Sequence, residues 1–193
     1  MRKLLHRASR RGLGLVEVMV GVAVLGVLVA VATPSMLDLL ERRRVVAVGL
    51  EIANILNFAK SETNVIGDKV TVHLEKDPSG VLSCASVNVL HSADTCVCYL
   101  PANKMCGKSK IVPTRMFQLK NADGVSFEAS ASSWGGIPER LTFSRNLHFA
   151  EATDVQVNVK GRRTGARFRV EMNHANRVRI CTPDGSINGF PTC

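Results

Sequence analysis

The stretch RRGLGLVEVMVGVAVLGVLVAVATP, Arg10 to Pro34, decides the reading of this chain. After Gly12 it runs for 22 residues, Leu13 to Pro34, with a single charge, Glu17. About 20 apolar residues are enough to span a bilayer as a helix. Ahead of it, Met1 to Gly12 hold five basic residues (Arg2, Lys3, Arg7, Arg10 and Arg11) and no acid. Such a flank keeps its end of the chain in the cytoplasm. A plain single-pass anchor, N-terminus in, is the simplest reading. A secretory signal fits less well, because the apolar run continues to Ala32 without the small-residue cut site that ends a signal. Glu17 is foreign to a plain anchor. A carboxylate in hydrocarbon is costly unless neutralised or paired, and residues of this kind carry function. A cut after Gly12 would place a new α-amino group at Leu13, within a helical turn of Glu17. Amine and carboxylate could then satisfy each other, within one chain or between neighbours. That would set the register of membrane helices packed side by side.

Beyond Pro34 the pattern turns amphipathic. Leu37, Leu40, Val48, Ile52, Ile55, Leu56 and Ala59 recur at spacings of three and four, with charges between them. A lone Gly49 apart, no Gly-Pro break interrupts until Asn64 to Gly67. One helix from about Leu13 to Asn64 is expected, about 75 Å long at about 1.5 Å per residue. Pro34 should kink it or loosen one backbone bond. Arg42, Arg43 and Arg44 read as a membrane-surface belt, as contacts to neighbouring subunits, or as a solvated face. Next, Val70, Val72 and Leu74 alternate with Thr71, His73 and Glu75, the pattern of a half-buried strand with His73 at the surface. Further strands are expected at Val81–Asn88, Ile111–Leu119, Val125–Glu128, Leu141–Phe143, Val155–Lys160 and Ala166–Met172. Many short strands after one helix make an α+β fold, a long N-terminal helix packed on antiparallel sheet.

The frame of a basic residue, Gly12, four residues, Glu17 and an unbroken apolar tail resembles the class III leader of type IV pilins and type II secretion pseudopilins. The resemblance implies cleavage after Gly12 by a prepilin peptidase and N-methylation at Leu13. Glu17 and Pro34 fall at the family's Glu and Pro positions. Leu13 departs from the family's usual Phe or Met. The passage Ala59-Lys60-Ser61-Glu62 to Val70-Thr71-Val72 is similar to the end of the long helix in the FimT/GspH branch of minor pilins. From about Pro78 to Pro138 the family's central Gly-Trp passage is not recognisable, and a cysteine-bearing insert stands in its place. The resulting organisation is a leader at 1–12, a transmembrane or filament-core half-helix at 13–34 and an amphipathic half at 35–66. A β domain at 67–193 follows, with its insert at 81–110 and a closing loop at 181–193.

All six cysteines follow the apolar run, which places them in an oxidising space if the N-terminus is inside. An even count then favours three disulfides. Cys181 and Cys193 bracket the turn-rich TPDGSINGFPT and resemble the C-terminal loop of FimT-like minor pilins, so they are expected to pair. Cys84, Cys96, Cys98 and Cys106 allow three pairings, and the residues do not choose among them. Cys96 and Cys98, one residue apart, are not expected to pair with each other. Their spacing of 11, 1 and 7 intervening residues is not the paired C-x2-C of zinc ribbons. No metal is expected.

The formal charge of the 193 residues is +9. Five of those charges belong to the leader. The segment Arg140 to Arg179 holds nine basic residues against three acids, so the mature excess concentrates there. Arginine forks suit phosphate oxygens and can hold a nucleic-acid backbone without reading bases. In a strand, Arg177 and Arg179 would face the same side. The segment NRVRIC, Asn176 to Cys181, resembles the G-R-x-R element of FimT proteins, which is implicated in DNA binding during natural transformation (competence); related minor pilins that only build the pilus carry similar C-termini. Asn176 stands where the family has Gly. Arg162, Arg163, Arg167 and Arg169 could extend the patch, and Arg167 and Arg169 share one side of a strand. The plainer reading is a solvated basic sheet face.

With 46% hydrophobic residues the chain is not disordered, and with 5% aromatics it does not resemble a base-stacking single-strand binder. The five histidines are scattered, and no phosphate loop, G-x-S-x-G or H-E-x-x-H is present. No enzymatic activity and no cofactor are expected. The resemblance implies a single-pass protein of the bacterial inner membrane with a periplasmic C-terminal domain, later carried into a pilus or pseudopilus. Its implied partners are other major or minor pilins or pseudopilins, the prepilin peptidase and the membrane, with double-stranded DNA as a further candidate. Three roles follow: a type IV pilus subunit acting in assembly, a pilus-associated DNA receptor, and a type II secretion pseudopilin H.

Overall fold

The computed structural model describes residues 14–89, 96–101, 103–106, 113–133, 139–144 and 154–193. One helix comes first, α1 (Leu15–Ile66), followed by eight strands among the described residues. These are β1 (Val70–Lys76), β2 (Leu82–Val89), β3 (Arg115–Lys120), β4 (Val125–Ser130), β5 (Arg140–Phe143), β6 (Val155–Gly161), β7 (Arg167–Met172) and β8 (Val178–Cys181). The chain divides into two compact units, one up to Asp38 and one from Leu39 to Cys193.

In the first unit the described residues from Leu15 onward are helical, and their side chains are exposed almost throughout. The backbone N–H groups of Glu17 and Val18 donate to the Gly14 carbonyl and start the first turn. α1 continues through Pro34 as one element, and the ring nitrogen, which has no N–H, leaves one backbone bond of the helix unmade there. At the other end Gly67 adopts φ 76°, and its N–H donates to the Thr63 carbonyl at 3.1 Å. A glycine in this left-handed conformation ends the helix there.

The second unit is built on two antiparallel four-stranded sheets, ordered β3-β2-β1-β5 and β4-β6-β7-β8. Val45, Val48, Ile52, Ile55, Leu56 and Ala59 of α1 are buried in one core with the inward residues of both sheets. Their spacing is the apolar stripe read from the sequence. Gly49 lies in that stripe because a Cβ there would fall 2.1 Å from the Phe168 ring of β7. Phe168 in turn meets Phe190 edge-on at 4.9 Å. Ser83 Oγ donates to the Phe127 carbonyl at 3.0 Å and so ties β2 to β4.

His73 is a correction. Alternation placed it at the surface, yet it is 2% exposed, and Thr71, Ser86 and Asn88 beside it are buried as well. The reason is the cysteine segment, which roofs the outer face of the first sheet. Cys84 of β2 is joined to Cys98, and Cys96 to Cys106. These four cysteines and Met105 form a second small core, with Tyr99 packed against it. Glu75 Oε2 accepts the Cys98 N–H at 2.8 Å, and Gln118 Nε2 donates to the Cys98 carbonyl at 2.9 Å. The roof is thus stitched to β1, β2 and β3. What was read as an insert from residue 81 begins as β2, an interior strand, and leaves the sheet only after Val89.

Candidate functional site

Two sets of residues carry the chemistry singled out by the sequence. Gly12 and Leu13, the expected cleavage and methylation positions, lie outside the described residues. Glu17 sits in the first turn of α1, where a carboxylate complements the positive end of the helix dipole. Around it Leu15, Val16, Val18, Met19 and Val20 are all more than half exposed. The helix is long and apolar enough to cross a membrane, and none of that apolar window is buried. This surface has no use for water. It suits hydrocarbon or a neighbouring helix.

The second set lies on the outer face of the second sheet. Register places Lys160 of β6 beside Arg167 of β7, Asn158 beside Arg169, and Glu171 beside Arg179 of β8. Lys160, Arg167, Arg177 and Arg179 are exposed. The inward residues of the same strands, Val157, Val159, Phe168 and Val170, are in the core. Arg169 is committed locally: its Nε donates to Asn158 Oδ1 at 2.7 Å, and its Nη1 lies 3.5 Å from Glu171 Oε1. Arg179 Nη2 reaches the Thr192 carbonyl at 3.4 Å.

Local chemistry fixes where Arg177 and Arg179 stand. Asn176 has φ 59°, the left-handed conformation that asparagine tolerates, in the turn between β7 and β8. Asn173 Oδ1 accepts the N–H groups of Ala175 and Arg177, which holds the turn closed. Cys181 is joined to Cys193. Thr182 N–H donates to the Pro191 carbonyl at 2.8 Å, and Cys193 N–H donates to the Thr182 carbonyl. Asp184 Oδ1 accepts the Ser186 N–H, and hydrogen bonding from Ser186 holds the Asp184 carboxyl below its ordinary range.

Arg162 and Arg163 are exposed on the turn between β6 and β7, at the opposite end of β7 from the turn that leads to Arg177. That turn rests on a residue the sequence reading missed. Glu41 of α1 is 7% exposed, and its two carboxylate oxygens accept the N–H groups of Arg163 at 2.8 Å and Thr164 at 3.1 Å. A Cβ at Gly161 would fall 2.7 Å from Glu41 Oε1, so glycine leaves room for the carboxylate. A signal was present. Glu41, Val45, Val48 and Ile52 share the spacing of the core stripe, and an acid in that stripe needs partners. Arg42 and Arg44 are not a uniform solvated face. They donate to the carbonyls of Ser186 and Asp123 and pin two loops to the helix.

Glu75 with Cys84 and Cys98, and Glu171 with Cys181 and Cys193, bring ligand-type atoms within 4.8 Å of one another. The sulfurs of both groups are joined in disulfides and offer no thiolate to a cation.

Residues 7–33 match the family model of the prokaryotic N-terminal methylation motif. The chain therefore carries the N-terminal motif of prepilin-type proteins. No curated protein matches it. Among solved structures it is similar to the minor pseudopilin EpsH from the type 2 secretion system of Vibrio cholerae. The identity is 13% over 71% of this chain and 95% of that one, with a TM-score of 0.44. It is also similar to the type IV minor pilin FimU of Pseudomonas aeruginosa. Here the identity is 19% over 72% of this chain and 90% of that one, with a TM-score of 0.49. At these values neither likeness bears on function.

Proposed function

We propose that the chain is a minor pilin subunit, made as a prepilin and assembled into a type IV pilus, where it serves filament assembly. A prepilin peptidase cuts after Gly12, Leu13 is N-methylated, and the subunit waits in the inner membrane with its N-terminus inside. The observation that carries this reading is the match of residues 7–33 to the methylation motif. Within that stretch Glu17 is the single charge between Leu13 and Pro34. Glu17 then pairs with the amine of Leu13, its own or a neighbour's, and sets helix register. Pro34 closes the apolar half. The test is the mass and N-terminal sequence of the protein purified from membranes. N-methyl-leucine at position 13 is expected; an intact leader, or a start at any other residue, refutes the proposal.

A type II secretion pseudopilus could use the same N-terminus. The NRVRIC segment and the Cys181–Cys193 loop support the pilus reading, since both resemble the pilus branch. Deleting the subunit should then reduce piliation and leave protein secretion intact; the opposite phenotype moves it to the secretion system.

One observation favours a second role. Lys160, Arg167, Arg177 and Arg179 lie exposed on one sheet face, a surface suited to the phosphates of double-stranded DNA. Affinity for duplex DNA, measured across salt with the detergent-solubilised protein, tests it. Steep salt dependence that weakens in an Arg177→Ala, Arg179→Ala double variant is expected. No binding at low salt removes the role and leaves the assembly role standing.

A further inference from the structure

The second unit carries a groove that neither role uses. It has a volume of about 380 Å³ and lies between α1 and the loop that follows β8. Its floor is apolar: Leu39 and Val46 from the helix, Ile187 and Phe190 from the loop. Its rim is cationic, with Arg42 and Arg43 at successive helix positions and no acid among the lining residues. Arg42 gives one of its five N–H donors to the Ser186 carbonyl. Arg43 is exposed and has no hydrogen bond or ion pair among the described residues. In sequence the groove opens at Leu39, five residues after Pro34, and Leu40 beside it in the chain is exposed.

Two cations over a hydrocarbon floor restrict what can fill this space. A purely apolar guest would leave the Arg43 guanidinium without a counter-charge. A free anion would leave the floor against water. An amphiphile whose anion sits directly beside hydrocarbon satisfies both halves. We propose that the groove takes one anionic glycerophospholipid. Its phosphodiester lies on Arg42 and Arg43, and one acyl chain lies over the apolar floor. Guanidinium forks suit phosphate oxygens, and basic pockets beside a membrane span collect anionic headgroups in this way. The proposal rests on the helix lying in a bilayer. It holds whether or not the chain is cut at Gly12. The competing occupant is an apolar turn of a second copy bearing one carboxylate, such as Leu15 to Val20 around Glu17.

The full-length protein in neutral detergent can be titrated with short-chain phosphatidylglycerol, with phosphatidylcholine of the same acyl chains, and with glycerol 3-phosphate. Native mass spectrometry counts the bound molecules. One phosphatidylglycerol per chain is expected, held about fivefold or more tighter than phosphatidylcholine. Arg43→Gln should remove that preference. Asn188→Trp, an exposed position at the groove, should fill it and weaken both lipids. Glycerol 3-phosphate should not bind measurably. Unaltered thermal midpoints confirm that both variants fold. Equal binding of the two lipids overturns the proposal, as does a preference that survives both variants. Glycerol 3-phosphate binding as tight as phosphatidylglycerol overturns it as a bare anion site. Lipid-free dimers that both variants abolish would assign the groove to a second copy, and also overturn it. A chain found uncut at Gly12 yet selective for phosphatidylglycerol would separate the failure of processing from this proposal.

Discussion

In the first sheet the side chains that alternate away from the core, Thr71, His73, Ser86 and Asn88, are buried; in the second sheet their counterparts, Lys160, Arg167, Arg177 and Arg179, are exposed. Both sheets place apolar residues inward with a period of two. What differs is the roof. Cys84–Cys98 and Cys96–Cys106 hold a short segment over the first face, and its polar groups turn to one another. Thr71 and Thr142 hydroxyls meet at 3.3 Å, Asn88 donates to Ser86, and His73 Nδ1 lies 3.4 Å from Glu75. Among the described residues nothing comparable lies over Lys160 and Arg167, which are exposed. Identical alternation thus yields a buried polar layer where two bridges hold a cover over the strands, and a charged surface where the Cys181–Cys193 bridge ties down only the loop beyond β8.

Removing the strap should break the contrast most strongly. A Cys84→Ala, Cys98→Ala double variant opens a bridge spanning 14 residues and should cost about 3 kcal/mol of unfolding free energy in chemical denaturation. Hydrogen exchange at β1 should rise toward that of β8. If β1 stays protected, packing rather than the bridge holds the roof.

Glu41 tests the underside of the open sheet. Glu41→Ala leaves the N–H groups of Arg163 and Thr164 without acceptors beside the core and should cost about 2 kcal/mol. Glu41→Gln keeps one acceptor and should lose less. Equal losses would show that filling the space, not accepting hydrogen bonds, is what the carboxylate contributes.

The open face itself should be nearly silent in stability. Arg177→Ala and Arg179→Ala are exposed truncations and should each change stability by about 0.5 kcal/mol or less. If the face holds phosphates, each lost contact should lower the salt slope for duplex DNA by about 0.9. A large loss of stability would mean that these arginines build the sheet instead of presenting a surface.

The smallest effect concerns acidity beside the roofed sheet. Burial first, then the charges of Glu75 and Glu128, raises the Glu139 carboxyl above its ordinary value. A raised folded-state value means that the charged form costs stability, and the cost vanishes once pH falls below the unfolded value of 4.5. Glu139→Gln should therefore stabilise the protein slightly at neutral pH, with the difference closing as pH falls toward 4.5 and gone below it. A constant difference from pH 3 to 7 would mean that the charge of Glu139 is not its cause.

Much of this contrast was written in the sequence, and part of it was not. The long helix follows from an apolar run to Pro34 and an amphipathic pattern that ends only at Asn64 to Gly67, and the strands follow from alternation. The left-handed turn at Asn176 was legible only through the resemblance, since Asn176 stands where the family has Gly and asparagine tolerates that conformation. The burial of His73 was not, because alternation says which side a residue faces and not what lies above that side. The insert pairing was closed for the same reason: it depends on where β2 holds Cys84. Glu41 was legible in principle, but its partners are backbone N–H groups more than 120 residues away, to which no side-chain pattern points.

The pairing of β1 with β5 also governs how this unit folds. Thr71 meets Thr142 across 71 residues, whereas β6, β7 and β8 follow one another by short turns. Closing the long connection costs chain entropy before any ladder forms, and the short turns carry little of that cost. The second sheet should therefore acquire protected amides early in pulse-labelled refolding. β5 should be the last strand to dock, and its arrival should set the rate of folding.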